Sequence, residues 1–71
     1  MTAGVNNRVR EYREKLGLNQ TELAENCKVS RQTIHAIEKG LINPSVILAL
    51  RIAHVLKTTV EKLFAISWES K

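Results

Sequence analysis

The chain has one cysteine, Cys27, so no disulfide can close within it. With no second cysteine and no metal-type Cys/His spacing, no metal framework is expected. Aspartate is absent, and the seven acidic residues are all glutamates, placed at helix-surface or salt-bridge positions. The two histidines, His35 and His54, stand far apart without a paired nucleophile. No glycine-rich phosphate loop is present. These absences argue against an enzyme, against a cofactor and against a small-molecule substrate. The longest near-continuous apolar run, Val46 to Leu50, is far too short to span a bilayer, so no membrane association is expected. Met1 to Asn7 is polar and has no apolar signal-peptide region, so the expected location is cytoplasmic.

What is present suits one small helical domain. The 71 residues are 44% apolar, enough for a core, and no low-complexity tract or internal repeat interrupts them. A chain of this length buries little surface, so its core must be dense and helical, or completed by a partner. Eleven basic residues against seven acidic ones give a net charge of +4, which suits a polyanion and is equally compatible with ordinary solvation.

Apolar residues recur at helical spacing between Gly17, Gly40 and Pro44. The pattern predicts a first helix capped at Asn6 or Asn7, with Val9, Tyr12, Arg13 and Leu16 on one face and Gly17 as a left-handed terminator. Asn19 followed three residues later by Glu22 reads as a capping box. It opens a second helix to about Cys27 that buries Leu23, Ala24 and Cys27. Lys28-Val29 is the turn. Ser30 caps a third helix, Arg31 to Lys39, that ends at Gly40. Its Ile34 and Ile37 face inward, while Arg31, Gln32, His35 and Lys39 face outward. Ser45 opens a fourth helix with Val46, Ala49, Ile52, Ala53 and Leu56 as its inner stripe. A short fifth helix covers Val60 to Phe64, and the alternation from Phe64 to Trp68 suits a strand. The fold class is therefore all-α, five helices with a short C-terminal β-strand.

The second and third helices, with a tight turn between them, have the spacing of a helix-turn-helix over residues 20–38. Helices that cross steeply need a small side chain at the contact, and Ala24 supplies it. Leu23, Val29, Ile34 and Ile37 would support the crossing from below. That leaves the outer face of helix 31–39 free to enter a groove.

Four ordered segments, Asn7 to Arg13, Leu16 to Ala24, Val29 to Ile34 and Ala36 to Gly40, followed by Asn43-Pro44-Ser45, resemble the phage repressor/Cro-type helix-turn-helix family. The likeness covers roughly residues 6–64 and is closest to the short stand-alone prokaryotic regulators. It implies a compact lambda-repressor-like domain that binds double-stranded DNA and regulates transcription, as a repressor in the first instance. It also implies residue roles. Gln20 would meet a phosphate, helped by Asn19, whose backbone N–H would face it. Ser30 would cap the recognition helix. Arg31 would suit guanine and Gln32 adenine. Thr33 would touch a phosphate or a thymine methyl, and His35 a base or the backbone. Lys39 and Asn43 would hold the DNA backbone, and Lys28, a departure from the family, would add a cation close to the same face. Arg13 and Glu38 match a pair that forms a partly buried salt bridge in this family. Each outward residue could instead be plain solvated surface. Lys28 and Lys57 stand where the family often has glycine.

Ile47, Leu50 and Val55 lie off the inner stripe, and Ile66 and Trp68 follow the last helix with nothing evident to cover them. This surplus predicts a homodimer with Phe64, Ile66 and Trp68 at its centre, built from the fifth helix and tail 65–71, with strand Ala65 to Trp68 pairing with its copy. A tail folded back on its own domain is the competing arrangement. A dimer would face a near-palindromic operator. Two other functions stay open: the antitoxin of a toxin–antitoxin pair, and a protein-interaction module of the same fold.

Overall fold

The computed structural model describes residues 5–66. Its elements run β1 (Val5–Asn7), α1 (Val9–Lys15), α2 (Gln20–Cys27), α3 (Arg31–Glu38), α4 (Val46–Val55), α5 (Val60–Leu63) and β2 (Phe64–Ile66). All five expected helices are present. Their inner faces meet in one cluster formed by Val9, Leu23, Ala24, Cys27, Ile34, Ile37, Ile52, Ala53, Leu56 and Leu63. Cys27 is buried there as a small apolar residue. Desolvation pushes its thiol above the usual range, opposed only in part by Arg51, so it is held as the neutral thiol.

The caps explain where the helices begin. Asn19 Oδ1 accepts from Glu22 N at 2.7 Å while Glu22 Oε1 accepts from Asn19 N at 2.9 Å, the expected capping box. Ser30, Ser45 and Thr59 each accept from the backbone N–H three residues on, opening α3, α4 and α5.

One device ends all four longer helices. At Gly17, Lys28, Gly40 and Lys57 the backbone turns left-handed, with φ of 73°, 63°, 75° and 59°. In each case that residue's N–H bonds back three residues and the next residue's N–H bonds back five, as in Leu18 N to Arg13 O at 3.1 Å and Val29 N to Ala24 O at 3.0 Å. This is the Schellman arrangement, which satisfies carbonyls that the helix leaves open. The two lysines therefore adopt the left-handed conformation that Gly17 and Gly40 take.

Several expectations are corrected. The pattern places the first cap at Asn6 or Asn7, but both lie in β1. Asn7 still accepts from Val9 N at 3.2 Å, and its Nδ2 donates to Ile37 O at 2.8 Å, which ties the start of α1 to the end of α3. Leu16 belongs to the inner face by spacing, yet it is 42% exposed, because Gly17 ends α1 before Leu16 completes its turn. Val46 belongs to the inner stripe by spacing, yet it is 76% exposed. It stands at the open first turn of α4, and Leu48 packs on the core in its place. The fifth helix stops at Leu63, and Phe64 begins a strand.

The tail differs most. Its strand pairs antiparallel with β1 of the same chain, in the register Val5↔Ile66, Asn6↔Ala65 and Asn7↔Phe64. Arg8 N continues the contact to Leu63 O at 2.8 Å. An adjacent segment of the same chain loses less entropy on pairing than a second molecule would, so β1 takes this edge. Phe64 is half-buried against the core. Trp68, like all of residues 67–71, lies outside the described residues, and of Ile66 only the backbone position in β2 is described.

A buried ion pair joins α1 to α3, as the resemblance implies. Arg13 Nε donates to Glu38 Oε2 at 2.7 Å and Nη2 to Oε1 at 3.2 Å, with the two side chains 10% and 4% exposed. Arg13 Nη1 also donates to Leu18 O at 2.8 Å. Hydrogen bonding to Glu38 raises the Arg13 guanidinium above its usual value against the opposing pull of burial.

Two stability measurements follow from this architecture. Lys57→Gly should relieve left-handed strain on the order of 1 kcal/mol, part of which returns as chain entropy of the unfolded state. The net gain should be about 0.5 kcal/mol, read as a rise of roughly 2–4 °C in Tm by circular dichroism. Arg13→Met should cost about 3 kcal/mol in urea unfolding, because it strands a buried carboxylate. Arg13→Met/Glu38→Met should recover most of that loss, and a double variant no more stable than the single one would contradict this account.

Candidate nucleic-acid interface

The face that the sequence assigns to DNA is assembled from the start of α2 and the outer side of α3. Ile34 and Ile37 are fully buried, and they anchor α3 from beneath. Arg31, Gln32, His35 and Lys39 are exposed on the same helix or at its cap, and Thr33 is half-buried. Ser30 Oγ accepts from Thr33 N at 3.2 Å and lies 3.0 Å from Thr33 Oγ1, so both hydroxyls help to shape the helix start. Lys28 is exposed in the turn, and Asn43 is exposed in the loop that follows α3. The structure therefore places Lys28, Ser30, Arg31, Gln32, Thr33, His35 and Lys39 along one continuous segment, with Gln20 packed beside it.

Gln20 is the hub of this face. Its Nε2 donates to Glu38 Oε1 at 3.0 Å, the same oxygen that Arg13 Nη2 meets. Its Oε1 accepts from Arg31 Nη1 at 3.4 Å, and Nε2 lies 3.5 Å from His35 Nδ1. A relay of polar contacts thus runs from the buried Arg13 through Glu38 and Gln20 to the exposed side chains of Arg31 and His35. The resemblance implies separate roles for Gln20 and Glu38, at a phosphate and in a salt bridge. Nothing in the linear sequence signals that one donates to the other, because 18 residues separate them.

The Asn19 backbone N–H is already used by Glu22 in the capping box, so it does not face outward as the resemblance implies. Among the hydrogen bonds of the described residues, the N–H groups of Gln20 and Thr21 are the ones left free at the start of α2. They are the donors that this helix end can offer an anion.

The charge pattern is consistent with this geometry. Arg31, Lys28 and Lys39 are exposed cations, and the Glu38 carboxylate of α3 is neutralised by Arg13. Among the described residues no group of three His, Cys, Asp or Glu is placed to hold a metal ion. None of their helices is long and apolar enough to cross a membrane.

Known proteins are similar to this chain in sequence and in shape. The helix-turn-helix family profile matches residues 9–63. An uncharacterized HTH-type transcriptional regulator of Methanothermobacter thermautotrophicus is 54% identical over 57 residues, spanning 79% of this chain and 83% of the relative. Among solved structures, the restriction-modification controller protein C.AhdI from Aeromonas hydrophila superposes with a TM-score of 0.75 at 33% identity, covering 80% of this chain and 86% of that one. The biofilm master regulator SinR, solved in complex with DNA, superposes with a TM-score of 0.70 at 33% identity, covering 75% of this chain and 86% of that one. By family profile, sequence and fold together, the chain belongs to the phage repressor/Cro-type helix-turn-helix family and is a DNA-binding transcriptional regulator.

Proposed function

We propose that the chain is a cytoplasmic repressor that binds a near-palindromic operator as a homodimer, with α3 in the major groove. The observation that carries this reading is the outer face of α3. Arg31, Gln32 and His35 stand exposed on a helix whose opposite side is locked into the core by Ile34 and Ile37. A helix held this rigidly presents its polar groups to a groove without a large ordering cost.

In this reading Arg31 takes guanine O6/N7 and Gln32 takes adenine N6/N7, each worth about 1–3 kcal/mol of discrimination. His35 makes a further base or backbone contact, and Thr33 meets a phosphate or a thymine methyl. Lys28, Lys39 and Asn43 hold the DNA backbone. The free N–H groups at the start of α2 meet a phosphate, with Gln20 and Asn19 shaping that end. Repression follows from occupancy of a promoter. The protein works by binding and not by catalysis.

The dimer rests on apolar surface that the fold leaves open. Leu41, Val46, Ile47 and Leu50 are 73%, 76%, 64% and 56% exposed. Val46 and Leu50 line a groove with Pro44, Val60 and Phe64. A two-fold axis through this groove lets one patch cover its own copy. Phe64 then sits at the interface as a groove wall. Two recognition helices would stand about 34 Å apart, one turn of DNA.

Two experiments test this reading. Selection from random DNA should yield a two-fold symmetric site whose binding weakens steeply with salt. Arg31→Ala should then relax one base position at a cost of about 1–3 kcal/mol, while Lys39→Ala should weaken all sites alike and lower the salt slope by about 1. Salt-independent binding, or none, would favour the interaction module. By sedimentation equilibrium the protein should be a dimer at micromolar concentration, and Leu50→Lys should be a folded monomer with weaker operator binding. A wild-type monomer at the same concentration would refute the dimer.

A further inference from the structure

The contacts around Gln20 determine more than its own position. A carboxylate only accepts hydrogen bonds, so the group that Gln20 turns toward Glu38 Oε1, 3.0 Å away, must be its NH2. A guanidinium only donates, so the group facing Arg31 Nη1 at 3.4 Å must be the amide oxygen. Two neighbours of opposite character thus fix the amide in one orientation. The same NH2 lies 3.5 Å from His35 Nδ1. An N–H at that ring nitrogen would point at an N–H of the amide. The favourable arrangement has a lone pair on Nδ1 and the proton on Nε2.

We propose that Gln20, held by Glu38, is a positioning residue that keeps neutral His35 in its Nε2–H tautomer, so that α3 presents a hydrogen-bond donor to DNA at this position. The ring nitrogen directed away from Gln20 then seeks an acceptor: guanine O6 or N7, adenine N7, thymine O4, or a phosphate oxygen. An exocyclic amine, such as cytosine N4, is disfavoured there because donor would meet donor. Because the amide oxygen of Gln20 also accepts from Arg31, one side chain sets the direction of two reading groups. This inference rests on the proposal that α3 enters the groove, and it changes what Gln20 does there: its amide acts on its neighbours and not on a phosphate.

Gln20 is the residue to vary, because Glu38 variants also disturb the buried pair with Arg13. Gln20→Ala should leave the Tm within a few degrees of wild type. The first measurement uses the free protein, with nitrogen-15 NMR of the imidazole rings at pH 8. The His35 ring should be almost purely Nε2–H in the wild type and should gain the other tautomer in Gln20→Ala, while His54 should not change. An unchanged His35 ring would overturn the proposal.

The second measurement is a double-variant cycle on the selected operator. Gln20→Ala should weaken binding about 10-fold in the wild type and less than about 3-fold when His35 and Arg31 are already alanine. Fully additive losses, uniform across sequences, would show a plain phosphate contact by Gln20 and would overturn its positioning role. In His35→Ala, lost preference at one base pair assigns the acceptor to a base edge, and uniform weakening assigns it to a phosphate. If the wild type bound no DNA, the groove reading and with it the donor role would fall, while the ring measurement would still report the geometry.

Discussion

Glu38 accepts three hydrogen bonds on two oxygens, and the arrangement of the DNA-facing side depends on them. Arg13 supplies two and Gln20 the third. Taking a carboxylate and a guanidinium out of water is costly, and their mutual attraction roughly offsets that cost when every donor and acceptor is used. Such a pair therefore adds little net stability. Its strength is directional, because only one relative placement of α1, α2 and α3 satisfies all three donors and also the Leu18 carbonyl that Arg13 reaches. The interaction that joins the helices beneath the surface also sets the orientation of the groups above it.

The rest of the frame is built from local backbone chemistry. Four helices, α1 to α4, end in the same left-handed turn, and three residues with side-chain hydroxyls, Ser30, Ser45 and Thr59, open α3, α4 and α5. These devices act within five or six residues, and they bring the chain back toward the core after each short helix. A helix of seven or eight residues is marginal by itself, so its ends and its buried face together decide whether it forms. Left-handed lysines at 28 and 57 fit this picture. The helix-ending hydrogen bonds, joined at Lys28 by the following apolar residue Val29, outweigh a strain on the order of 1 kcal/mol.

The apolar residues divide into two groups that composition does not separate. Ala49, Ile52, Ala53 and Leu56 are buried in the core, whereas Val46, Ile47 and Leu50 on the same helix face outward. Val46 continues the inner periodicity and is still exposed, because periodicity identifies a face of the helix and not how far the core extends along it. The strand at the end of the chain follows the same logic. Its alternation made it readable as a strand, but the choice of β1 as partner came from where α5 delivers it.

By itself the sequence determined the five helices, the caps at Asn19, Ser30 and Ser45, the glycine terminators, most of each buried stripe and the helix-turn-helix spacing. All of these follow from interactions between residues close in the chain, where spacing is geometry. The ordered blocks of resemblance added the Arg13–Glu38 pair. Only the tertiary structure decided what depends on distant segments meeting. It paired β1 with β2 across sequence separations of 57 to 61 residues, from Asn7↔Phe64 to Val5↔Ile66. It joined Asn7 to Ile37, and it brought Gln20 against Glu38, Arg31 and His35. A side chain's free donors are known only when all its neighbours are known. The expectation that Gln20 reaches outward to a phosphate could be read from its place at a helix start. The observation that its amide is already turned inward could not.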